Sequence, residues 1–400
     1  MKVLQINSIC GTGSTGRIVV DLHDVLIANG HQCKVAFGIG SAVNITEDDT
    51  FCFGNKNDYY IHNALSRLTD RAGFYSKTVT KRLIEYIKSY SPDLIHIHNI
   101  HGFYMNVQML FEFFKNYGKP VLWTIHDCWP FTGHCAHYSD NKCYKWKEQC
   151  YACPSKKRYP RTYFISNAKR NFIDKKRIFT GVDNLIITSP SDWLTNQIKQ
   201  SFLNCYEAIT VNNGIDLDKF HPVKNDFKKQ YNIEDKKILL GVSSAWIPQK
   251  GFNDFLKLAK MLDNSYRIVI VGFEGEGELP ENMIILPTIT DTNQLVEIYS
   301  AADIYVSFSV EETFGLPTVE AMACGTPVLT YDETALPEVV TDKCGIVVKA
   351  RNVQEAYEKI INFPEFNKED IIARAAKYDR RLKYNEFLSL YEKMAEKQEK

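Results

Sequence analysis

The sequence predicts an α/β protein built from two parallel-sheet domains. Short apolar segments alternate with longer stretches of helical periodicity, and the series restarts after a polar, turn-rich segment near the middle. Four hundred residues also exceed what one core usually holds. Apolar strands alternating with helices imply parallel sheets covered on both faces. Two such domains are expected to face a cleft where strand C-terminal ends meet.

Val3–Asn7 reads as a buried strand, and 16–29 as a helix carrying Ile18, Val19, Leu22, Val25 and Leu26 on one face. Gln32–Phe37 is a second strand, followed by helical stretches around 57–72 and 78–90 and strands at Asp93–His98 and Pro120–Ile125. Residues 126–165 form an irregular insert rich in cysteine, aromatic and basic side chains. A strand at Leu185–Thr188, a helix from Ser191 and a strand at Ala208–Val211 complete a first domain, 1–222. The turn Asn212-Asn213-Gly214-Ile215-Asp216 and a polar run to Asp235 mark the linker. A second domain, 223–378, contains strands at Ile238–Val242, Tyr266–Val271, Met283–Leu286, Asp303–Ser307, Pro327–Tyr331 and Gly345–Val348, with helices from Gly251, Asp291 and Pro317. Helices near 352–362, 367–377 and 380–397 end the chain, and 379–400 is expected to pack back on the first domain.

Composition narrows the class. Hydrophobic residues at 44% and charged ones at 24% fit a soluble globular enzyme. No apolar run is long enough for a signal peptide or a membrane span, which reads as cytoplasmic, with the eleven cysteines reduced or metal-bound. Residues 1–222 carry 26 basic against 19 acidic side chains, a net +7, and the remainder carries −7. Twelve basic residues lie between Lys142 and Arg177, opposed within that stretch only by Glu148 and Asp174. Such a patch attracts anionic head groups, a lipid-linked diphosphate or nucleic acid, or it is an ordinary solvated face.

Gly11, Gly13 and Gly16 have the G-x-G-x-x-G spacing between the first strand and the first helix. Glycines there let a diphosphate approach the backbone at a helix N-terminus. An NAD-dependent enzyme would need an acidic residue at the end of the second strand, where this chain has Phe37-Gly38-Ile39-Gly40-Ser41. A plain tight turn is the other reading.

The stretch from Glu312 to Val328 is the most informative. A strand delivers a loop, and Pro317 sits where the first helical residue belongs. The N–H groups of Phe314, Gly315 and Leu316 are then expected to point at an anion. Glu312 lies on the loop and Glu320 in the first helical turn, both able to accept from sugar hydroxyls. Glu320 could instead be a favourable charge at a helix N-terminus.

This Glu-seven-residues-Glu spacing resembles family 4 of the retaining glycosyltransferases, which have the GT-B fold of two Rossmann-like domains. The resemblance extends over nearly the whole chain, through Ser91-Pro92-Asp93-Leu94-Ile95-His96-Ile97-His98, Thr124-Ile125-His126-Asp127, Asn213-Gly214-Ile215-Asp216, Pro248-Gln249-Lys250-Gly251 and Leu336-Pro337-Glu338-Val339-Val340. The Cys-rich insert looks like that of a colanic-acid or capsule subgroup. The resemblance implies transfer of a sugar from a nucleotide-diphosphate donor, UDP- or GDP-linked, to a lipid-linked or oligosaccharide acceptor in cell-surface polysaccharide synthesis. Glu320 would hold the donor ribose, Glu312 the transferred sugar, Lys250 the diphosphate, and His126 would line the reaction centre. Gly13, with Gly16 behind it, would approach the donor from the opposite domain. His126, Glu312 and Lys250 are thus the expected catalytic residues, with no cofactor required.

Two departures stand out. Ala245 occupies the position where the family has a second diphosphate-binding Arg, leaving the charge to Lys250 or to a cation such as Arg17. Glu333-Thr334-Ala335 replaces the Gly-Gly that precedes Leu-Pro-Glu.

Cys128, Cys135, Cys143, Cys150 and Cys153 cluster in the insert. Cys135, Cys143, Cys150 and Cys153 could close a structural zinc site, sit as unligated thiols, or form disulfides. The residues also admit a sugar-nucleotide epimerase or phosphorylase of the same fold, and a Cys-knuckle nucleic-acid binder. The last leaves the phosphate loops unexplained, so no nucleic-acid partner is expected. Peripheral contact with an anionic membrane at its inner face is.

Overall fold

The computed structural model describes residues 1–275 and 278–396. Strands β1 (Lys2–Asn7), β2 (Gln32–Phe37), β3 (Thr50–Cys52), β4 (Leu94–Ile97), β5 (Val121–Thr124), β6 (Leu185–Ser189) and β7 (Glu207–Thr210) form one sheet in the order β3-β2-β1-β4-β5-β6-β7. Strands β8 (Lys237–Val242), β9 (Tyr266–Val271), β10 (Met283–Leu286), β11 (Ile304–Ser307), β12 (Val328–Tyr331) and β13 (Gly345–Val348) form a second sheet in the order β10-β9-β8-β11-β12-β13. Neighbouring strands are parallel in both, as the predicted α/β class requires.

Both faces of each sheet are covered, which explains the continuous apolar runs. In β1, Leu4 and Ile6 pack on one core while Val3 joins another on the opposite face, the period of two that a strand imposes. In β8, Leu239 faces one core and Ile238 and Leu240 the other. The chain divides into two units: Met1–Asn212 with the chain from Lys383, and Asn213–Leu382. In the first unit the last helix buries Tyr384, Phe387, Leu390, Tyr391 and Met394 with Val3, Leu22, Leu26 and Leu94.

The strand order reverses between β1 and β4 in the first unit and between β8 and β11 in the second. Loops leaving those four strands diverge at the switch point, where open α/β sheets place ligands. The glycine loop follows β1 and His98 follows β4; Lys250 follows β8 and Glu312 follows β11.

Several boundaries differ from expectation. The first helix begins at Gly13, not Gly16. Helix Val107–Phe114, capped by Asn106, was not anticipated, nor was Ala168–Phe179. The latter's inward stripe includes Asn171 and Lys175, and these polar positions hide its period. Edge strand β3 is only three residues long, too short to register as a pattern.

Candidate functional site

In the second unit, Pro248–Lys250 forms a 3₁₀ turn after β8, and Gly251 follows with φ +78°. A Cβ at Gly251 would lie 2.4 Å from Phe308, so only glycine lets this turn pack against the end of β11. The Val310 N–H donates to the Gln249 carbonyl at 2.9 Å, tying the two loops together. That packing carries the Lys250 ammonium onto Glu312, where the two form an ion pair with 27% and 20% of their side chains exposed.

Glu312 is fixed through its backbone. Its N–H donates to Thr334 Oγ1 at 3.0 Å, and its carbonyl accepts from the Ala335 N–H. Thr334 has φ +55°, a conformation ordinarily left to glycine or asparagine. The missing Gly-Gly is therefore replaced by a strained threonine whose hydroxyl anchors the Glu312 loop.

Helix Leu316–Ala323 begins differently from expectation. Gly315, at φ +92°, is its N-cap, Leu316 is the first helical residue and Pro317 the second. Glu320 is consequently the fifth residue and lies in the second turn, which removes the reading of Glu320 as a first-turn charge. Pro317 has no N–H and the Thr318 N–H donates to the Gly315 carbonyl at 3.0 Å, so at this helix start the Gly315 and Leu316 N–H groups are the ones left to face an anion. Phe314 is buried against Tyr378 and gives structural backing rather than a free face.

Glu320 is buried and accepts a hydrogen bond from the Tyr299 hydroxyl at 2.9 Å. Burial, then the Glu320 charge, pushes Tyr299 well above the usual phenol range, so it remains a donor. Tyr305 is likewise raised, first by burial and then by the charges of Glu312 and Glu320. Lys250, Glu312 and Glu320 therefore converge around one helix start and one tyrosine. Ala245 is exposed on the preceding loop and contributes no cation.

In the first unit, the Gly11 N–H donates to the Gly16 carbonyl at 2.9 Å, and a Cβ at Gly11 would meet the Val43 carbonyl oxygen at 1.9 Å. Gly13 opens the first helix at φ +61°, while Gly16 lies a turn inside it, packed near Ile9. Gly16 is thus a packing glycine and Gly13 the one at the helix start.

His126, half-buried at the end of β5, lies 3.3 Å from His98 Nδ1, and His98 Nε2 lies 3.3 Å from Gln5 Oε1. Burial pushes His126 down to about 4, so its imidazole is neutral near pH 7. Behind it, His96 sits between Tyr391 and Thr124 hydroxyls, both at 2.6 Å. Beside it, His101 Nε2 meets Asp127 Oδ2 at 2.5 Å and His101 Nδ1 meets the Tyr159 hydroxyl at 2.9 Å. Burial would raise Asp127, but the His101 charge and hydrogen bond outweigh it and hold the carboxyl low. His98, His101 and Gln5 were missed as site neighbours. The alternation His96-Ile97-His98 on one strand was the available signal, since it puts both rings on one face.

In the insert, Cys135 donates to Cys153; that bond holds the Cys153 thiol below its usual range against burial and, together with burial, pushes Cys135 well above it. The Gly133 N–H donates to Cys150 Sγ at 3.2 Å. His134 is taken by Asp70. All cysteines are free thiols, and among the described residues no group of three or more His, Cys, Asp or Glu is arranged to hold a metal ion. Trp129, Phe131, Tyr138 and Trp146 of the insert are all buried. Lys175 is not a surface charge: it is buried, donates to the carbonyls of Trp129 (2.7 Å) and Thr132 (3.1 Å), and is pushed down to about 7 by burial. Arg158 pairs with Asp140.

Two all-parallel sheets, each with its loops gathered at a switch point, and a carboxylate pair beside a helix start define a sugar-transferring enzyme of the GT-B class. Residues 15–219 match Glycosyltransferase Family 4 and residues 223–380 match Glycosyl transferases group 1, and the chain belongs to Glycosyltransferase Family 4. It is a retaining glycosyltransferase, and the epimerase alternative falls. WcaC of Escherichia coli (strain K12), provisionally named a colanic acid biosynthesis glycosyl transferase, is 24% identical over 88% of both chains. An N,N'-diacetylbacillosaminyl-diphospho-undecaprenol alpha-1,3-N-acetylgalactosaminyltransferase of Campylobacter jejuni is 28% identical over 45% of this chain and 53% of its own length. Among solved structures, Anabaena HepE in complex with UDP and glucose superposes with a TM-score of 0.67 at 14% identity, covering 98% of this chain and 100% of that one. Sucrose-phosphate synthase from Thermosynechococcus elongatus gives 0.70 at 16% identity over 98% of each. No helix among the described residues is long and apolar enough to cross a membrane.

Proposed function

We propose that this enzyme takes its sugar from a UDP- or GDP-linked donor and adds it to a lipid-linked or oligosaccharide acceptor during assembly of a cell-surface polysaccharide, working at the inner face of the cytoplasmic membrane. The observation that carries the donor half is the convergence of Lys250, Glu312 and Glu320 on the start of helix Leu316–Ala323. A diphosphate at that helix start would compete with Glu312 for the Lys250 ammonium. Glu312 would then be released to accept from hydroxyls of the transferred sugar. Glu320, held by Tyr299, is suited to the ribose hydroxyls because its position is preset. As the bond to the leaving diphosphate breaks, Lys250 and the helix dipole meet the growing negative charge.

Gly13 opens a helix at which phosphate oxygens could also be received. Neutral His126 is suited to orienting hydroxyls rather than to carrying a proton away. The acceptor's proton would pass to the leaving phosphate oxygen on the face that it vacates, in keeping with retention. The resemblance to WcaC and to the undecaprenol-diphosphate enzyme supports the acceptor half.

A thermal-shift panel of nucleotides and nucleotide sugars tests the donor. A true donor at about 100 times its dissociation constant should stabilise the protein by roughly 2.7 kcal/mol. No response to any nucleoside diphosphate would sink the assignment. A structural zinc on Cys135, Cys143, Cys150 and Cys153 is a separate proposal, and elemental analysis of the purified protein decides it. One equivalent of zinc supports it; metal-free protein with freely titrating thiols ends it.

A further inference from the structure

The helix Lys56–Thr69 is amphipathic in the wrong sense for a surface helix. Its inward face is polar: His62 meets Ser76 Oγ at 2.7 Å and the Gly73 N–H at 3.0 Å, and Ser66 is buried beside it. Burial pushes His62 down to about 3, and Ser76, which His62 meets, donates to the Asp58 carboxylate on the same face of the helix. Its outward face carries Tyr60, Ile61, Ala64, Leu65 and Leu68. At 100° per residue these positions form one stripe. Tyr60 is 65% exposed and Ile61 60%.

The Cys-rich insert widens this stripe. The Tyr163 N–H donates to the Arg67 carbonyl at 2.9 Å, and Arg67 Nη1 donates to the Tyr163 hydroxyl at 2.8 Å. Arg67 also donates to Asn63, so both line the border of the stripe where the insert is attached. The insert then presents Tyr163, Phe164 (75% exposed) and Ile165 (51%) beside the helix. Arg161, over the Tyr163 ring at 5.1 Å, and exposed Lys157, Lys169 and Arg170 supply positive charge on the same segment. Contiguous exposed apolar side chains of this size mark a surface with a partner.

We propose that helix Lys56–Thr69 and loop 163–165 together form a membrane-docking surface that inserts into the interface of an anionic bilayer. The stripe supplies buried apolar area and the basic segment the attraction to anionic head groups, the two components of interfacial binding. Tyr60 and Tyr163 combine an apolar ring with a polar tip, which suits the head-group boundary. A second copy of this chain fits less well: a symmetric contact would set the same basic residues against themselves. The inference rests on the proposed lipid-linked acceptor for its purpose, but its geometry lies wholly in the first unit and needs no donor or acceptor.

The test uses the full chain and vesicles that contain no acceptor. Sedimentation with phosphatidylcholine–phosphatidylglycerol vesicles should carry the protein down, and pure phosphatidylcholine should carry little. Binding should weaken as salt screens the basic segment. The double variant Ile61→Ser, Phe164→Ser should lose about tenfold or more in vesicle affinity, since two apolar side chains no longer enter the bilayer. Both residues are exposed, so its urea midpoint and its thermal response to nucleotide should match the parent's. Ile361→Ser, an exposed isoleucine of the second unit, should change nothing. A parent that stays in the supernatant with anionic vesicles, or a double variant that binds like the parent, overturns the proposal. So does a parent that dimerises through this face while ignoring vesicles. Loss of the nucleotide response in the parent would instead break the donor reading and leave this one standing.

Discussion

The loops after β8 and β11 hold charge in pairs, whereas those after β4 and β5 hold histidines that burial keeps mostly neutral. In the second unit, Lys250 meets Glu312 and Glu320 meets a tyrosine hydroxyl. In the first, His98 stacks on His126 and His96 lies tilted against His98, all three as uncharged rings, and the His101–Asp127 pair stands apart. The difference is what the proposed transfer would ask of a donor side and an acceptor side. A leaving diphosphate needs a cation and dipoles already in place, because its charge grows in the transition state. An acceptor hydroxyl needs donors and acceptors that orient it without pulling in competing ions.

The largest expected effect tests the charged half. In the proposed donor site Ala245 removes one of the two cations expected near the diphosphate, so Lys250 would supply more of the transition-state stabilisation. Losing one preorganised donor to developing charge typically costs on the order of 10²–10³ in turnover. Lys250→Ala should lose at least that much while folding normally, and Ala245→Arg in that background should recover part of it. Steady-state kinetics within about threefold of the parent would mean that the diphosphate binds elsewhere.

A smaller effect separates the two carboxylates. Removing Glu320 strands the Tyr299 hydroxyl and, in the proposed donor site, takes an acceptor from the ribose, a loss of roughly 1.5–3 kcal/mol for hydrogen bonds to a charged group. Glu320→Ala should therefore weaken UDP or GDP binding about tenfold or more in calorimetry. Glu312→Ala should lower turnover more than nucleotide affinity, since its proposed partner is the sugar. Equal nucleotide binding by Glu320→Ala and parent would remove Glu320 from the donor site.

The neutral half predicts a pH signature. Burial lowers His62 to about 3 and His126 to about 4 from an ordinary 6.5, and His96 and His98 shift the same way. Between those folded values and 6.5 the unfolded chain binds protons that the folded one refuses. Stability is thus full above about 6.5 and is lost as pH falls toward 4, by up to roughly 3 kcal/mol through His126 alone. Urea denaturation at pH 7 and pH 5 should show the drop, and His126→Asn should shrink it. A parent as stable at pH 5 as at pH 7 would mean that these rings are protonated in the fold.

The parallel α/β class and the loop-and-helix layout after β11 were legible in the sequence because both rest on local signals. Parallel strands read as apolar runs, and the stretch from Glu312 to Gly325 carries its own loop, proline and helix. The histidine cluster was only half legible: His98 and His126 come from neighbouring strands, while Tyr159 reaches His101 from the insert over a separation of 58 residues. Nothing in local periodicity reports such a contact. Lys175 was misread as surface charge because its burial depends on two carbonyls and the Trp129 ring, all set by tertiary packing. The outward stripe of helix Lys56–Thr69 escaped for a related reason. Apolar residues at helical spacing read as a core face, and only the polar network around His62 shows that the helix is turned the other way.

The smallest effect concerns how the charged half is held in place. Thr334 occupies φ +55° and still supplies the acceptor for the Glu312 N–H at 3.0 Å. A β-branched residue in that region is strained by about 1–2 kcal/mol, and the hydrogen bond returns roughly 1 kcal/mol. Asparagine tolerates the left-handed region and keeps a side-chain acceptor, so Thr334→Asn should match or slightly exceed the parent's urea midpoint with activity retained. Thr334→Gly relieves the strain but loses the acceptor and adds freedom to the unfolded chain, leaving stability within about 1 kcal/mol of the parent. Its turnover should nonetheless fall, because the Glu312 backbone N–H loses its anchor, and nucleotide affinity should hold. If Thr334→Gly instead keeps full turnover, the loop is positioned by the Ala335 N–H and the Lys250 pair alone, and the threonine is a tolerated irregularity rather than part of the site.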